Sequence, residues 1–160
     1  MGDPDSLSQE QEFKMSQINS NRSETQATHG KCTVVQAGIG YRAQQDSEYV
    51  PGISAETVGA KALWLGMVTL PSGRRTKAHV HDRHETAFYM MSGSEVELWT
   101  GDELQHKDIV RPGDYLFIPP KVLHVAVNRG NEPAVFIGSR NEPTAQESVI
   151  MYPAMDARVP

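Results

Sequence analysis

Short apolar segments recur along most of this chain at intervals of roughly 8 to 12 residues, and turn sequences separate them. The first begins at Val34 and Val35, and the longest covers residues 60–70 (AKALWLGMVTL). The intervening stretches, such as PSG, SGS, RPGD, PPK and NEP, favour β-turns over helix caps. About eight or nine strands at this spacing are typical of a sandwich or barrel, so the sequence predicts one all-β domain.

The N-terminal residues differ in composition from the rest of the chain. Residues 1–30 are rich in Ser, Gln, Asn and Glu and hold too few apolar side chains to offset the entropy of ordering, which predicts a disordered N-terminal tail. The remaining residues, 31–160, are predicted to form a single domain. A helix is expected only where Ser54 could cap ISAETVGA, and Gly59 would end it within about one turn.

Charge and cysteine content restrict the class of protein. The chain has a formal net charge of −5, and its Lys and Arg residues are scattered, so we expect no nucleic-acid partner. No apolar run is long enough to cross a bilayer, and no basic-then-apolar secretory signal is present, which predicts a cytoplasmic protein without a membrane partner. Cys32 is the only cysteine, so no internal disulfide can form.

Residues 79–85 read HVHDRHE and concentrate metal-binding side chains. In a strand, His79 and His81 point to the same face with α-carbons about 6.6 Å apart, close enough for both imidazoles to reach one ion. On a helix the two side chains would diverge. The alternation of Thr76, Ala78 and Val80 with the two histidines supports the strand. Strand context is therefore what makes the pair a candidate metal site.

Two further ligands are candidates. Glu85 opens the next predicted strand and could fold back over the imidazole pair to supply an anionic ligand. His124 lies in the predicted strand VLHVAVN, where a single histidine is either a hydrogen-bonded core residue or a ligand contributed from a distance. These residues alone leave both interpretations open.

Two spaced motifs resemble those of the cupin superfamily. Residues 73–93 (GRRTKAHVHDRHETAFYMMSG) resemble its first motif, G-x5-H-x-H-x3,4-E-x6-G, with one residue more before the last glycine. Residues 113–128 (GDYLFIPPKVLHVAVN) resemble the second, G-x5-P-x-G-x2-H-x3-N, with Lys121 in place of the second glycine. The chain is similar to small RmlC-like cupins without an assigned activity, some of them described as mannose-6-phosphate isomerase-like.

The resemblance implies a double-stranded β-helix, or jelly-roll barrel, in which His79, His81, Glu85 and His124 bind one metal near the barrel mouth. His84 would substitute if Glu85 turned away. Such a ligand set suits divalent Mn, Fe, Co, Ni or Zn and leaves positions open for substrate. The implied function is a metal-dependent enzyme of isomerase, dioxygenase or decarboxylase/lyase type, acting on a small anionic or polyhydroxy substrate. The alternative is a module that binds a sugar or organic acid without catalysis. A homodimer is expected because resembling proteins usually pair by their sheets.

Two catalytic candidates complete the predicted site. Alternation sends Lys77 to the face of His79 and His81, where its charge could attract an anionic substrate, although an ordinary surface role fits equally well. Tyr89 shares the face of Glu85 and could donate a proton or simply pack in the barrel.

Overall fold

The computed structural model describes residues 30–146 and 148–160, so most of the predicted N-terminal tail, residues 1–29, lies outside the described residues. Every strand and helix of the described residues belongs to the unit Thr33–Pro160. The strands are β1 (Tyr41–Arg42), β2 (Glu48–Ile53), β3 (Trp64–Leu70), β4 (His79–His81), β5 (Thr86–Ser92), β6 (Val96–Thr100), β7 (His106–Val110), β8 (Tyr115–Ile118), β9 (His124–Val127), β10 (Ala134–Arg140) and β11 (Val149–Met151). One helix, α1 (Ala55–Val58), and a 3-10 helix (Pro153–Arg158) accompany them.

The strands form two antiparallel sheets. One has six strands in the order β1-β2-β3-β10-β5-β8, and the other has five in the order β11-β4-β9-β6-β7. Non-consecutive neighbours such as β3 and β10, or β4 and β9, show that the chain crosses repeatedly between the sheets, as a jelly-roll barrel requires. The predicted all-β jelly-roll fold is confirmed.

Two local predictions for the residues before β3 had different outcomes. Helix α1 is capped as predicted: Ser54 Oγ accepts a hydrogen bond from Thr57 N–H, and Gly59 ends the helix with φ 68°. The prediction of a strand at Val34 and Val35 was wrong, since residues 33–40 have no regular structure and Val34 is exposed. Strands β1 and β2 are present instead, and β2 pairs with β3.

The core lies between the two sheets and follows the period-two alternation of the strands. Trp64 and Val68 of β3, Met90 of β5 and Val96 of β6 belong to one buried apolar cluster. Each such side chain stabilises the fold by roughly 1.5–3 kcal/mol through burial. A second cluster, which includes Val80, Leu104, Val125 and Val127, packs on the other side of the five-stranded sheet. Strand β4 therefore has a buried residue on both faces, with His79 and His81 on one and Val80 on the other.

No helix within residues 30–146 and 148–160 is both long enough and apolar enough to cross a membrane.

Candidate metal centre

Three buried imidazoles converge inside the barrel. Strand β4 places His79 and His81 on one face, and β9 pairs with β4 so that His79 and His124 are directly opposite each other. Ring centroids are 4.2 Å apart for His79 and His124, 4.8 Å for His81 and His124, and 5.3 Å for His79 and His81. One nitrogen from each ring lies within 4.8 Å of the other two. The sequence motif and the distant histidine thus meet at one point, although they are separated by more than 40 residues.

Hydrogen bonds at Nδ1 orient all three rings. His79 Nδ1–H donates to the Lys77 carbonyl and His124 Nδ1–H donates to the Val122 carbonyl, both at 2.8 Å. His81 Nδ1 lies 2.9 Å from Thr86 Oγ1. A backbone carbonyl can only accept, so it fixes the tautomer in which Nδ1 carries the proton and Nε2 keeps its lone pair. Such bonds at the second ring nitrogen are the usual way in which proteins orient a metal-binding imidazole.

Burial keeps these rings neutral. Removal from water lowers the pKa of His124 to about 4, and it lowers the pKa values of His79 and His81 well below the ordinary range. The neighbouring imidazoles lower the pKa values of His79 and His81 further, because two positive charges so close together would repel each other. All three rings are therefore neutral at pH 7, which is the form that binds a metal. The donor set fits a divalent transition ion.

Glu85 lies outside this group. Its side chain is exposed, and its backbone N–H donates to Asn141 Oδ1 at 3.0 Å. The next residue, Thr86, is completely buried and contacts His81. Because side chains alternate along β5, only one of two consecutive residues can face the barrel interior, and it is Thr86. The structure therefore does not bring Glu85 to the three imidazoles.

His84 is buried beside the three imidazoles but is not among the converging nitrogens. Its ring stacks on His81 with centroids 4.5 Å apart. Its Nδ1 lies 2.9 Å from Glu142 Oε2 and 2.6 Å from Ser148 Oγ, and Ser148 in turn donates to the same carboxylate oxygen. Burial lowers the pKa of His84 as well. Among the described residues, the ligand nitrogens that lie close together belong to His79, His81 and His124, so His84 is a supporting residue.

The two predicted catalytic side chains face away from the imidazoles. Lys77 is exposed and pairs with Asp46 at 3.4 Å, so its contribution to the site is the carbonyl that accepts from His79. Tyr89 points to the outer surface of β5, where its ring lies 4.9 Å from that of Tyr115. Tyr89 does share the face of Glu85 as predicted, but that face is the outside of the barrel.

A cavity adjoins two of the imidazoles. His79 and His124 form part of its wall, and most of the remaining wall is apolar. Its volume is about 60 Å³, measured as the space open to the centres of water-sized molecules. The apolar lining residues come from both sheets: Val68, Leu70, Phe88, Val96, Leu98, Val110, Leu116, Ile118, Ala126 and Phe136. Gln45, Ser47 and Tyr49 supply polar groups, and sequence reasoning missed all three because their segment has no periodic pattern or motif.

Lys121, which occupies the glycine position of the second motif, retains the glycine conformation. Its φ is 65°, in the left-handed region that disfavours side chains with a Cβ. Its backbone N–H donates to the His81 carbonyl at 2.7 Å. The turn before β9 is therefore hydrogen-bonded to the strand that carries His79 and His81.

Comparison with known proteins agrees with this architecture. Residues 66–138 match a family model described as a cupin domain. An uncharacterized protein of Methanocaldococcus jannaschii is 28% identical over 83 residues, which are 52% of this chain and 63% of that protein. The chain thus spans less than two thirds of the length of this curated relative.

Two solved structures are similar in fold. The oxalate decarboxylase of Bacillus subtilis, a protein with Mn(II) centres, is 16% identical with a TM-score of 0.55, over 74% of this chain and 30% of that chain. A sugar phosphate isomerase of the cupin superfamily from Silicibacter pomeroyi is 19% identical with a TM-score of 0.52, over 68% of this chain and 71% of that chain.

Proposed function

We propose, from the match of residues 66–138 to a cupin-domain model, that this chain is a metal-dependent enzyme acting on a small anionic substrate. His79, His81 and His124 would hold one divalent transition metal through their Nε2 atoms. The observation that carries the proposal is the convergence of three buried, neutral imidazoles, with their Nδ1 atoms already bonded, beside a cavity. Structural zinc sites are four-coordinate and usually rich in cysteine, whereas this donor set leaves positions open.

The metal, when bound, would supply a Lewis acid that polarises an oxygen of the substrate. Three neutral ligands leave its full double charge uncompensated, which favours carboxylates, enediolates and phosphates as substrate groups. The chain itself orients the imidazoles through the Lys77 and Val122 carbonyls and lines the adjoining cavity with largely apolar side chains. Manganese, iron, cobalt, nickel and zinc all suit imidazole ligands.

The reaction class remains one of the three predicted types. A decarboxylase or lyase and an isomerase have precedent among the similar structures, and a dioxygenase would require ferrous iron. A second candidate function is metal-assisted capture of a small organic acid without turnover. It is favoured by one observation: among the residues that line the cavity, the imidazoles are the only titratable groups besides Tyr49.

Metal removal distinguishes the enzyme from the binding module. Protein stripped with a chelator and reloaded separately with Mn(II), Fe(II), Co(II) or Zn(II) is screened with oxalate, small hydroxy acids, diketones and sugar phosphates, with and without dioxygen. Turnover that disappears with the metal and returns on reloading, while the circular dichroism spectrum stays constant, supports the enzyme. A ligand that binds to the reloaded protein and is recovered unchanged with every metal supports the module and contradicts the enzyme.

We also propose a homodimer formed through the outer face of the six-stranded sheet. This face exposes Tyr89 and Met91 of β5 and Tyr115 and Phe117 of the edge strand β8, the last two by 84% and 57%. Contiguous apolar side chains on an unpaired edge are typical of an interaction surface.

We expect sedimentation equilibrium to give twice the 17.7 kDa mass of one chain. The double replacement Tyr115→Ser with Phe117→Ser should reduce the mass to that of a monomer. Ile150→Ser is the matched control, because Ile150 is exposed on β11, the edge strand of the other sheet. A wild-type protein that sediments as a monomer would exclude the dimer.

A further inference from the structure

One polar atom of a residue that lines the cavity has no hydrogen-bond partner among the described residues. Gln45 is 1% exposed and lines the cavity together with His79 and His124. Its Nε2 donates to Tyr49 Oη at 2.9 Å, but its carbonyl oxygen Oε1 is buried without a hydrogen bond among the described residues. A buried acceptor without a donor is costly, so such an atom in a native fold calls for a physical explanation.

The orientation of the amide follows from its surroundings. Arg140, which can only donate, lies with its Nη2 3.5 Å from Tyr49 Oη, so this hydroxyl acts as an acceptor there. Gln45 Nε2 is the second donor to the same oxygen. Reversing the amide would leave a buried N–H group without an acceptor, and such groups are rarer in folded proteins than carbonyls without donors. Oε1 is therefore the atom that awaits a partner.

The backbone of Gln45 is hydrogen-bonded to the segment that leads into β4, the strand that carries His79 and His81. Its backbone carbonyl accepts from Lys77 N–H at 3.0 Å, two residues before His79. The surrounding turn is closed by a bond from Ala43 N–H to the Ser47 carbonyl at 2.8 Å. A second tie is the ion pair between Asp46 and Lys77. The backbone of Gln45 is thus held beside Lys77, and its side chain lines the same cavity as His79 and His124.

The cavity restricts the size and polarity of what could meet both groups. A single water needs roughly 10–15 Å³ by the same measure, so about 60 Å³ admits a molecule of only a few heavy atoms. Phe88, Leu98, Val110 and Phe136 stand in its wall and offer no hydrogen bond. A polyhydroxylated sugar phosphate would leave several hydroxyl groups unpaired against these side chains.

We propose that Gln45 is a specificity-determining residue of the site proposed above, and that its Oε1 accepts a hydrogen bond from a hydroxyl group of the substrate. The substrate is a compact carboxylic acid whose anionic end faces the three imidazoles and whose short carbon chain fills the apolar wall. This inference rests on the proposed metal site. It goes further by selecting small hydroxy acids over sugar phosphates, and it assigns the selection to a residue outside the matched residues 66–138.

The test compares carboxylic acids of equal size, one with a terminal hydroxyl group and the other with a methyl group in its place. Full-length protein loaded with Co(II) is titrated with 3-hydroxypropanoate against butanoate, and with 4-hydroxybutanoate against pentanoate. The visible absorption of Co(II) reports binding without any need for turnover. We expect the hydroxy acid to bind about tenfold more tightly than its methyl analogue in at least one pair, because the methyl group leaves Oε1 unpaired. Glucose 6-phosphate should bind more weakly than either.

Gln45→Leu should remove the preference for the hydroxy acid and leave the affinity for the methyl analogue unchanged, and Gln45→Met should do the same with a more flexible side chain. Equal affinities in both pairs for the wild-type protein would overturn the role of Gln45, as would a preference that persists in both variants. Tighter binding of glucose 6-phosphate would overturn the proposed substrate class. If the wild-type protein gives no Co(II) spectrum at all, the metal site itself fails, and that result is distinguishable from the other three.

Discussion

Replacement of His124 by alanine is expected to lower the metal content of the purified protein at least about tenfold, and replacement of His79 should have the same effect. Three nitrogens converge in this site and no other described side chain completes the group, so loss of one removes a third of the protein donors. Elemental analysis of freshly purified protein measures the effect directly. Far-ultraviolet circular dichroism should show that the variants remain folded.

Two control variants sharpen this result. His106→Ala removes an exposed imidazole on β7 and should leave the metal content unchanged. Glu85→Gln tests the remaining member of the predicted ligand set, and we expect no loss of metal because its side chain is exposed. Unchanged metal content in both His79→Ala and His124→Ala would refute the assignment. A large loss in Glu85→Gln would show instead that this carboxylate reaches the metal.

The metal-free protein should lose stability steeply as the pH falls below about 6.5. In the unfolded chain each imidazole protonates with a pKa near 6.5, whereas burial lowers the pKa of His124 to about 4 and also lowers those of His79, His81 and His84. Between these limits the unfolded state binds more protons than the folded state. The free energy of unfolding therefore falls with decreasing pH, by up to about 1.4 kcal/mol per pH unit for each imidazole.

Urea denaturation in the presence of a chelator, between about pH 7.5 and 5, measures this slope. Model carboxyl groups titrate at about pH 4, below this range, whereas model imidazoles titrate within it. His124→Gln should reduce the slope, while His106→Gln, which changes an exposed ring, should not. A free energy of unfolding that is constant over the whole range would contradict the description of these rings as buried and neutral.

A shift of one residue in the alignment with the motif explains why Glu85, the fourth predicted ligand, does not lie with the three imidazoles. The resemblance to the first cupin motif was carried by Glu85, with one residue more than usual before Gly93. Six residues separate Thr86 from that glycine and four separate it from His81, and the structure buries Thr86 against the imidazole of His81. The extra residue between Glu85 and Gly93 was therefore the signal in the sequence that Thr86, and not Glu85, occupies the motif position. A shift of one position along a strand moves a side chain to the opposite face.

Alternation predicts which residues share a face, but it does not say which face is inside. Tyr89 and Glu85 do lie on the same side of β5, and that side is the outer surface. His79 and His81 were placed correctly because apolar residues of neighbouring strands bury their face. Lys77 lies before β4 begins, where the chain no longer follows the strand, so its side chain pairs with Asp46 instead.

The all-β fold and the match of residues 66–138 to a cupin-domain model were predictable because both depend on spacing, which survives in the sequence. The residues that form the cavity wall were not predictable from the sequence. Gln45 and Tyr49 come from a turn and a strand whose residues, DSEYVPGI, show no clear alternation, and only tertiary pairing with β3 makes a strand of them. The local sequence around such side chains therefore does not indicate that they face the site.

The pairing of β11 with β4 has a consequence for how this protein can be divided. Val149 and Met151 of β11 lie opposite His81 and His79, and β2 covers β3 on the other sheet. Both of these flanking strands fall outside residues 66–138. In a fragment that contains only the matched residues, β4 would become an exposed edge strand, which could pair with strands of other protein molecules. The stretch that matches the family model is thus smaller than the unit that keeps the histidine-bearing strand paired on both sides.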